Sequence, residues 1–310
     1  MFLSKFKKFK QFSLVTATLI LMAGFLSGCA YLGQAEQGEQ DPEVLRLALI
    51  PAEDIVEMME NFEPARQYLE SELGIEIEMF KAIDYTAVIE AMRAEKIELA
   101  FFGPFSYVLA AERANARAIV AGGDADGNLA VYHSIMIAHK DSNIKSIDDV
   151  KACAGELAIS FVDPASTSGY LIPYGFMESI GLSPDEAFRE VVFAGGHDAS
   201  ILAVSARKVD FGATWEGPYQ TAIEEGLITA EDVPVIWKSE PIPRSPLAVR
   251  GDLSESLINR IQQAFLDMPE KAPDAFQQWE GRWEGNESYV PVSDADYEFI
   301  REVAEGLGKI

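Results

Sequence analysis

Cysteine and histidine are scarce in this chain of 310 residues, which contains 2 Cys and 3 His. With so few thiolate and imidazole ligands a metal site is hard to assemble, and we expect none. If Cys29 is modified, as the N-terminal sequence indicates, Cys153 has no disulfide partner. Cys153 precedes a predicted strand, where a buried structural thiol is the common outcome and a reactive thiol is the alternative.

Positive charge is also in short supply, because 25 Lys and Arg stand against 50 Asp and Glu, for a net charge of -25. Such a surface repels nucleic acid and anionic lipid headgroups, so we expect no nucleic-acid partner. It repels an anionic ligand as well, and an anion site must therefore depend on local donors. The apolar residues, 48% of the chain, suffice for a well-buried core in one large or two modest domains.

The motifs of several enzyme classes are absent from the sequence, which has no G-x-S-x-G, Walker A loop, H-E-x-x-H or paired C-x-x-C. Ser166, His197 and Glu216 can be drawn as a catalytic triad. A row of hydroxyl residues at the start of a helix, however, suits the holding of an anion better than nucleophilic attack. We therefore expect a protein that is not an enzyme and uses no cofactor.

The N-terminus has the pattern of an export signal. Four lysines within residues 5–10 precede a short apolar run over residues 14–25, and Leu-Ser-Gly-Cys follows, ending at Cys29. This arrangement is similar to the lipobox of bacterial lipoproteins. It predicts a signal peptide over residues 1–28, lipidation of Cys29, a flexible tether over residues 29–42 and anchoring in the cell envelope. A permanent membrane helix is the alternative, but the apolar run is short for a span.

Strand-like and helical runs alternate along the rest of the chain, which predicts an α/β fold with parallel neighbouring strands. Two further strand-like runs, residues 131–139 and 233–237, are candidates for crossings between two α/β units. We therefore expect a bilobed fold in which two hinge strands join the lobes. Lobe 1 would comprise residues 43–133 plus 240–310, and lobe 2 residues 134–239. Ligands of such folds bind in the cleft, and the lobes close around them.

Three consecutive hydroxyl residues, Ser166, Thr167 and Ser168, lie between a strand-like run and an apolar helical run. The start of a helix offers free backbone N–H groups, and the helix dipole adds partial positive charge there. Together with the hydroxyl donors this makes a site for a phosphate-like anion. An ordinary Ser/Thr helix cap is the alternative interpretation.

Other candidate ligand residues follow strands or lie beside them. His197, after Gly195 and Gly196, can donate from its imidazole, although a buried or capping histidine is the common alternative. Glu216 can accept from a protonated oxyanion or pair with a ligand ammonium, although an exposed acid is the default. The remaining candidates are the phenol donors Tyr85 and Tyr132 and the cleft-lining residues Phe102, Ser106 and Trp215.

From about residue 44 to residue 253 the chain resembles the phosphate/phosphite/phosphonate-binding proteins of bacterial ABC importers, the PhnD-like family. The motifs that carry the likeness are Asp163-Pro164-Ala165-Ser166-Thr167-Ser168-Gly169, Gly195-Gly196-His197-Asp198, the helix Asp84–Met92 and Ile236-Trp237-Lys238-Ser239. The resemblance implies a periplasmic-binding-protein-like fold of type II and a small phosphorus oxyanion as ligand. It also implies delivery of that ligand to the permease subunits of an ABC transporter, and we expect a monomer.

The resemblance also implies roles for particular residues. The donors to the phosphorus oxyanion would be Tyr85, Tyr132, Ser166, Thr167, Ser168 and His197. Glu216 resembles the family's acidic residue at this strand end, which helps to hold the ammonium of aminoalkylphosphonates. A second acid of such proteins, in an Ile-Pro-x-Asp-Pro turn, is replaced here by Ser245. Because a buried ammonium facing one carboxylate is poorly compensated, this favours phosphite, methylphosphonate or phosphate.

A sensor role is the second hypothesis. A protein of the same fold that binds a ligand and docks on a membrane histidine kinase would present the same motifs. The sequence does not separate the two roles.

Overall fold

Two β-sheets organise the part of the chain that the structure, a computed structural model, describes, namely residues 41–310. The predicted signal peptide, Cys29 and the tether up to residue 40 lie outside the described residues. In chain order the strands are β1 (Val44–Leu49), β2 (Glu76–Phe80), β3 (Leu99–Phe101), β4 (Ala116–Gly123), β5 (Val131–Tyr132), β6 (Ser134–Ala138), β7 (Ala158–Phe161), β8 (Glu190–Phe193), β9 (Phe211–Trp215), β10 (Val235–Lys238), β11 (Ile242–Pro243), β12 (Pro246–Arg250) and β13 (Ser288–Pro291).

Helices cover the faces of these sheets. The α-helices are α1 (Ile55–Leu73), α2 (Tyr85–Arg93), α3 (Pro104–Ala114), α4 (Ile147–Cys153), α5 (Ile172–Ser179), α6 (Pro184–Ala187), α7 (His197–Ser205), α8 (Glu216–Glu224), α9 (Glu255–Lys271), α10 (Pro273–Trp279) and α11 (Glu298–Gly306). A π-helical turn, Thr167–Leu171, leads into α5, and short 3₁₀ turns lie at Lys140–Ser142, Ala154–Glu156 and Asp294–Tyr297.

The six-stranded sheet of the first lobe has the order β13-β4-β12-β3-β1-β2, and the five-stranded sheet of the second lobe has the order β10-β6-β9-β7-β8. Parallel neighbours, as the alternation predicted, occur where β1 pairs with β2 and β3, and where β7 pairs with β8 and β9. The other pairings are antiparallel. Each sheet therefore combines a parallel α/β half with strands that run the opposite way.

A short antiparallel pair, β5 with β11, lies where the chain passes between the sheets. Ile242 pairs with Tyr132, and Pro243 with Val131. The predicted first crossing is broken after Tyr132 into β5 and β6. The predicted second crossing at residues 233–237 is wrong, because β10 pairs with β6 inside the second sheet and the chain returns only after Lys238.

Aromatic packing fixes the far end of α10 on the first sheet. The ring centre of Phe62 in α1 lies 5.0 Å from that of Trp279, and the ring centre of Phe101 in β3 lies 5.2 Å from it. Both pairs are edge-to-face. Trp279 is 6% exposed. Because edge-to-face rings in a core are held in place by their neighbours, packing of Trp279 fixes the position of the backbone segment that follows it.

The described part of the chain shows neither a transmembrane segment nor a metal centre. None of its helices combines the length and the apolar character needed to cross a bilayer. Within residues 41–310 no group of His, Cys, Asp and Glu is arranged to hold a metal ion.

Glu98, which is 3% exposed, holds three neighbouring strands of the first sheet together. Its carboxylate accepts from the backbone N–H of Arg46 in β1 (2.8 Å) and from Nη1 of Arg250 in β12 (3.1 Å). We expect Glu98→Ala to lower the free energy of unfolding by about 2–4 kcal/mol, because it removes the buried acceptor of the Arg46 N–H and one of the two acceptors of Arg250 Nη1. Urea denaturation measures the loss.

The matched control is Glu255→Ala, which removes an ion pair between Glu255 Oε1 and Arg117 Nη1 (2.5 Å). The Glu255 side chain is 70% exposed. Because water screens such a pair, we expect a much smaller loss than for Glu98→Ala. Equal effects of the two substitutions would contradict the role given to Glu98.

Candidate functional site

A cavity of about 110 Å³ lies between the two lobes. Residues of both lobes line it, and among the predicted site residues these are Tyr85, Phe102, Tyr132, Ser166, Thr167, Ser168, His197, Trp215 and Ser245. Pockets for drug-sized ligands usually enclose roughly 300–1,000 Å³. The space therefore suits a small ligand.

The loop after β7 places the three hydroxyl residues. Asp163 Oδ1 accepts from the N–H of Ala165 (2.8 Å), and Ser166 Oγ accepts from the N–H of Gly169 (3.1 Å). A side chain at Gly169 would put its Cβ 2.3 Å from Val162 Cγ2, so only glycine allows this close return. Ser166 thus caps the π-helical turn. The helix start was predicted here, and its first turn is wider than an α-helix.

Thr167 connects the two lobes. Its Oγ1 accepts from the N–H of Phe105 at the start of α3 in the first lobe (2.8 Å). Because this oxygen is the acceptor in that bond, its own hydrogen is left to donate elsewhere. Ser168 is fixed on the other side, where its carbonyl accepts from Ser134 Oγ (2.6 Å). All three hydroxyl residues are 2% exposed.

Two tyrosines of the first lobe and the hinge face the hydroxyl residues. Tyr85 begins α2, which Asp84 caps by accepting from the N–H of Ala87 (2.7 Å). Burial raises the pKa of Tyr85 well above its usual value, although a hydrogen bond with Ser166 opposes the shift. Burial also raises the pKa of Tyr132, to about 12, against hydrogen bonds with the hydroxyls of Ser168 and Thr167. Both phenols therefore keep their protons at neutral pH.

His197 begins α7 and is 3% exposed. Its backbone N–H donates to the carbonyl of Ala52 in the first lobe (2.7 Å), and its Nδ1 lies 3.1 Å from Thr214 Oγ1. Burial lowers the pKa of His197 to about 3, so the imidazole is neutral at pH 7. A neutral imidazole carries one N–H donor and one acceptor nitrogen.

Trp215 forms an aromatic wall of the cavity. Its ring centre lies 5.3 Å from that of Tyr132 and 4.7 Å from that of Trp283, at interplanar angles of 76° and 61°. Phe102 and Ser245 complete this part of the lining. The wall presents apolar edges next to the hydroxyl residues.

Two predicted residues do not line the cavity. Glu216 begins α8 with its side chain 40% exposed, and its carboxylate binds His133 Nδ1 (3.0 Å) and Lys238 Nζ (2.9 Å). Partial burial favours a higher pKa, but these two partners outweigh it and lower the pKa of Glu216. Ser106 does not cap α3, because Gly103 is the cap and Ser106 Oγ donates to its carbonyl (3.0 Å).

Several charged lining residues were not predicted from the sequence. They are Glu53, Arg244, Glu280 and Arg282. Glu280 and Arg282 follow α10, far along the chain from the strand ends that directed the search, and beyond residue 253, where the likeness inferred from the sequence ends. The sequence signal that could have indicated Arg282 is its position between Trp279 and Trp283. In the structure its Cζ lies 5.4 Å and 4.3 Å from the centres of these two rings.

Solved structures with the same architecture define the class of protein. The binding protein component of an ABC phosphonate transporter from Pseudomonas aeruginosa is 27% identical, with a TM-score of 0.76 over 84% of this chain and 85% of that chain. A Prochlorococcus marinus protein, PhnD1, solved with methylphosphonate, is 22% identical, with a TM-score of 0.77 over 87% of this chain and 100% of that chain. The fold is that of bilobed periplasmic binding proteins of type II, as predicted.

Sequence comparison then gives the family. Residues 47–297 match the family described as "ABC transporter, phosphonate, periplasmic substrate-binding protein". The phosphate-import protein PhnD of Mycolicibacterium smegmatis is 31% identical over 98% of both chains, and the phosphonates-binding periplasmic protein of Escherichia coli is 31% identical over 74% of this chain and 67% of its own length. The chain belongs to this family of exported substrate-binding proteins, which are not enzymes. The resemblance inferred from the sequence is confirmed.

Glu53, on the loop between β1 and α1, is one of the two acids in the described part of the chain that line the cavity. Burial raises its pKa to about 7, against the attraction of Arg282, whose Nη2 lies 3.9 Å from the carboxylate. The charges of Asp198 and Glu57 raise it further.

The folded protein therefore binds this proton more tightly than the unfolded chain does, and Glu53 lowers stability as the pH rises from 4.5 to about 7. We expect the advantage of Glu53→Gln over the wild type in unfolding free energy to grow by about 2–3 kcal/mol between pH 5 and pH 8. Urea denaturation at each pH measures it.

Glu60→Gln, on the exposed side of α1, serves as the control and should follow the wild-type pH dependence. A Glu53→Gln advantage that stays constant across this range would refute the raised pKa.

Proposed function

We propose that this protein captures a small phosphorus oxyanion without an amine, namely phosphite, methylphosphonate or phosphate, and delivers it to the permease of an ABC transporter. The observation that carries the proposal is the set of buried neutral donors around the cavity, in a chain of this family. They are Tyr85, Tyr132, Ser166, Thr167, Ser168 and His197.

The donors suit an oxyanion because they are neutral hydroxyl and imidazole groups whose hydrogens can turn toward ligand oxygens. The amides of Thr167 and Ser168 find no protein acceptor within residues 41–310, as expected for the first turn of a helix. In the tautomer in which Thr214 donates to His197 Nδ1, the Nε2 of His197 carries the imidazole hydrogen. A ligand that failed to fill these donors would leave them buried and unpaired, which is the source of selectivity.

The charged groups argue against an ammonium on the ligand. Glu216, the acid expected to hold it, is turned away toward His133 and Lys238. Ser245 lines the cavity in place of a second acid, and its neighbour Arg244 brings a positive charge. The edge of Trp215 offers instead an apolar surface for a P–H or P–CH₃ group.

The predicted anchor and domain limits complete the proposal. We take Cys29 as the lipidation site after a signal peptide over residues 1–28, and residues 29–42 as the tether of a monomer. Lobe 1 then spans 43–133 and 240–310, and lobe 2 spans 134–239. The comparisons give no support to the alternative of a histidine-kinase sensor.

The first test is calorimetric titration of the purified protein with phosphite, methylphosphonate, phosphate, 2-aminoethylphosphonate and sulfate. We expect tight binding of at least one amine-free phosphorus anion, because its oxygens fill the donors and the two carboxylates of the lining, Glu53 and Glu280, already face Arg282 and Arg244. Preferred binding of 2-aminoethylphosphonate would show that our interpretation of Ser245 and Glu216 is wrong.

The second test removes one donor. Thr167→Val keeps the shape of the side chain and removes the hydroxyl that faces the cavity and accepts from Phe105. We expect the affinity for the preferred anion to fall about 10- to 100-fold, the usual range for a hydrogen bond to a charged group. Thr221→Val is the matched control, because the Thr221 hydroxyl donates to the Gly217 carbonyl (3.2 Å) within α8. Equal affinities of both variants would remove Thr167 from the site.

A further inference from the structure

We propose that Arg244 reads the charge of the bound anion, so that the cavity selects a doubly charged phosphorus oxyanion over a singly charged or zwitterionic one. This inference deepens the proposed function and rests on it. It assigns a specificity-determining role to a residue that does not belong to the set of neutral donors.

The backbone around Arg244 is held on both sides. Arg244 lies between β11 and β12, its N–H donates to the carbonyl of Ala130 (3.0 Å), and its carbonyl accepts from the Tyr297 hydroxyl (3.0 Å). The residue is 5% exposed. The backbone that carries the Arg244 side chain is therefore fixed between the two strands by these hydrogen bonds.

A buried hydrogen-bond network with Asn286 and Glu280 orients the guanidinium of Arg244 through its Nε edge. Arg244 Nε donates to Asn286 Oδ1 (3.1 Å) and lies 4.0 Å from Glu280 Oε1, while Asn286 Nδ2 donates to that same Oε1 (2.5 Å). Gly122 of β4 leaves room for this network, since a Cβ there would lie 2.5 Å from Glu280 Oε1. The Nε edge is thus occupied.

The opposite edge of the guanidinium is available to a ligand. Arg244 lines the cavity, and its Nη1 and Nη2 have no hydrogen-bond acceptor in the described part of the chain. Its Cζ lies 5.7 Å from the ring centre of Tyr132, whose hydroxyl bonds Ser168 and Thr167. A buried cation with unfilled N–H groups beside an oxyanion site is stabilised by the anion.

The hydroxyls, phenols and neutral His197 are dipoles, so their contribution depends mainly on where the ligand oxygens lie. The attraction of Arg244 grows in proportion to the charge of the ligand. The other cation of the cavity, Arg282, stacks on Trp283 (4.3 Å) and faces Glu53 at 3.9 Å. Arg244 therefore distinguishes phosphite from hypophosphite, which has the same tetrahedral phosphorus but one P–O fewer and a single charge.

The test is calorimetric titration at about pH 8 with phosphite, methylphosphonate and phosphate, which are then mostly doubly charged, and with hypophosphite. We expect the wild type to prefer its best doubly charged ligand over hypophosphite by about 30-fold or more. Arg244→Gln should lose most of that preference, because an attraction proportional to charge makes its affinity for the doubly charged ligand fall by about the square of the factor by which its hypophosphite affinity falls. Arg244→Lys should keep part of it.

Arg250→Gln is the matched control, because Arg250 is also a poorly exposed arginine of β12 but binds Glu98 and Asp252 away from the cavity. Its preference should equal that of the wild type. Equal losses for both ligand charges in Arg244→Gln, or no change, would overturn the proposal. If Arg244→Gln does not fold, a wild type that binds phosphite and hypophosphite alike overturns it equally. A wild type that binds no phosphorus oxyanion would instead refute the proposed function, and the inference with it.

Discussion

Two hydrogen bonds across the lobes hold the cavity in its present form. Thr167 Oγ1 accepts from the N–H of Phe105, and the N–H of His197 donates to the carbonyl of Ala52. Each bond uses a residue that also lines the cavity. Since the donors come from both lobes, they face one space only while the lobes are together, and a ligand that binds this arrangement stabilises it. Binding of such a ligand would therefore be coupled to the closed arrangement of the lobes.

The electrostatics of the site depend on short-range contacts. The chain has a net charge of -25, so its overall field opposes an anion. Burial keeps the phenols protonated and His197 neutral, and these groups act as dipoles. The two arginines of the cavity are each accompanied by a glutamate. The long-range field of the protein therefore does not attract an anion, and the binding free energy comes mainly from direct hydrogen bonds. Because such bonds depend on the positions of the ligand oxygens, they favour selectivity.

Close approaches of backbone to side chain give the site its rigidity. Gly169 brings the hydroxyl turn against Val162, and Gly122 admits the network of Glu280 and Asn286. At both positions a side chain would need space that neighbouring atoms occupy. The donors on one wall and the guanidinium of Arg244 on another are consequently fixed relative to the sheets that carry them. Such preorganisation reduces the cost of ordering on binding.

Local sequence patterns determined a large share of this protein. The alternation of strand and helix, the hydroxyl turn at Ser166–Ser168 and the histidine after two glycines depend on neighbouring residues, and each appears where it was predicted to lie. The second crossing was misplaced because a strand of four residues in a sheet and one at a hinge share the same local pattern.

Tertiary packing decided what the cavity contains beyond that. Glu216 follows a strand as expected, but the positions of His133 and Lys238 set the direction of its side chain. Glu280 and Arg282 reach the cavity because Trp279 is locked against Phe62 and Phe101, residues more than 170 positions earlier in the chain. Periodicity and spacing report on contacts along the chain. Charges that meet through a packed core are determined only when the whole chain has folded.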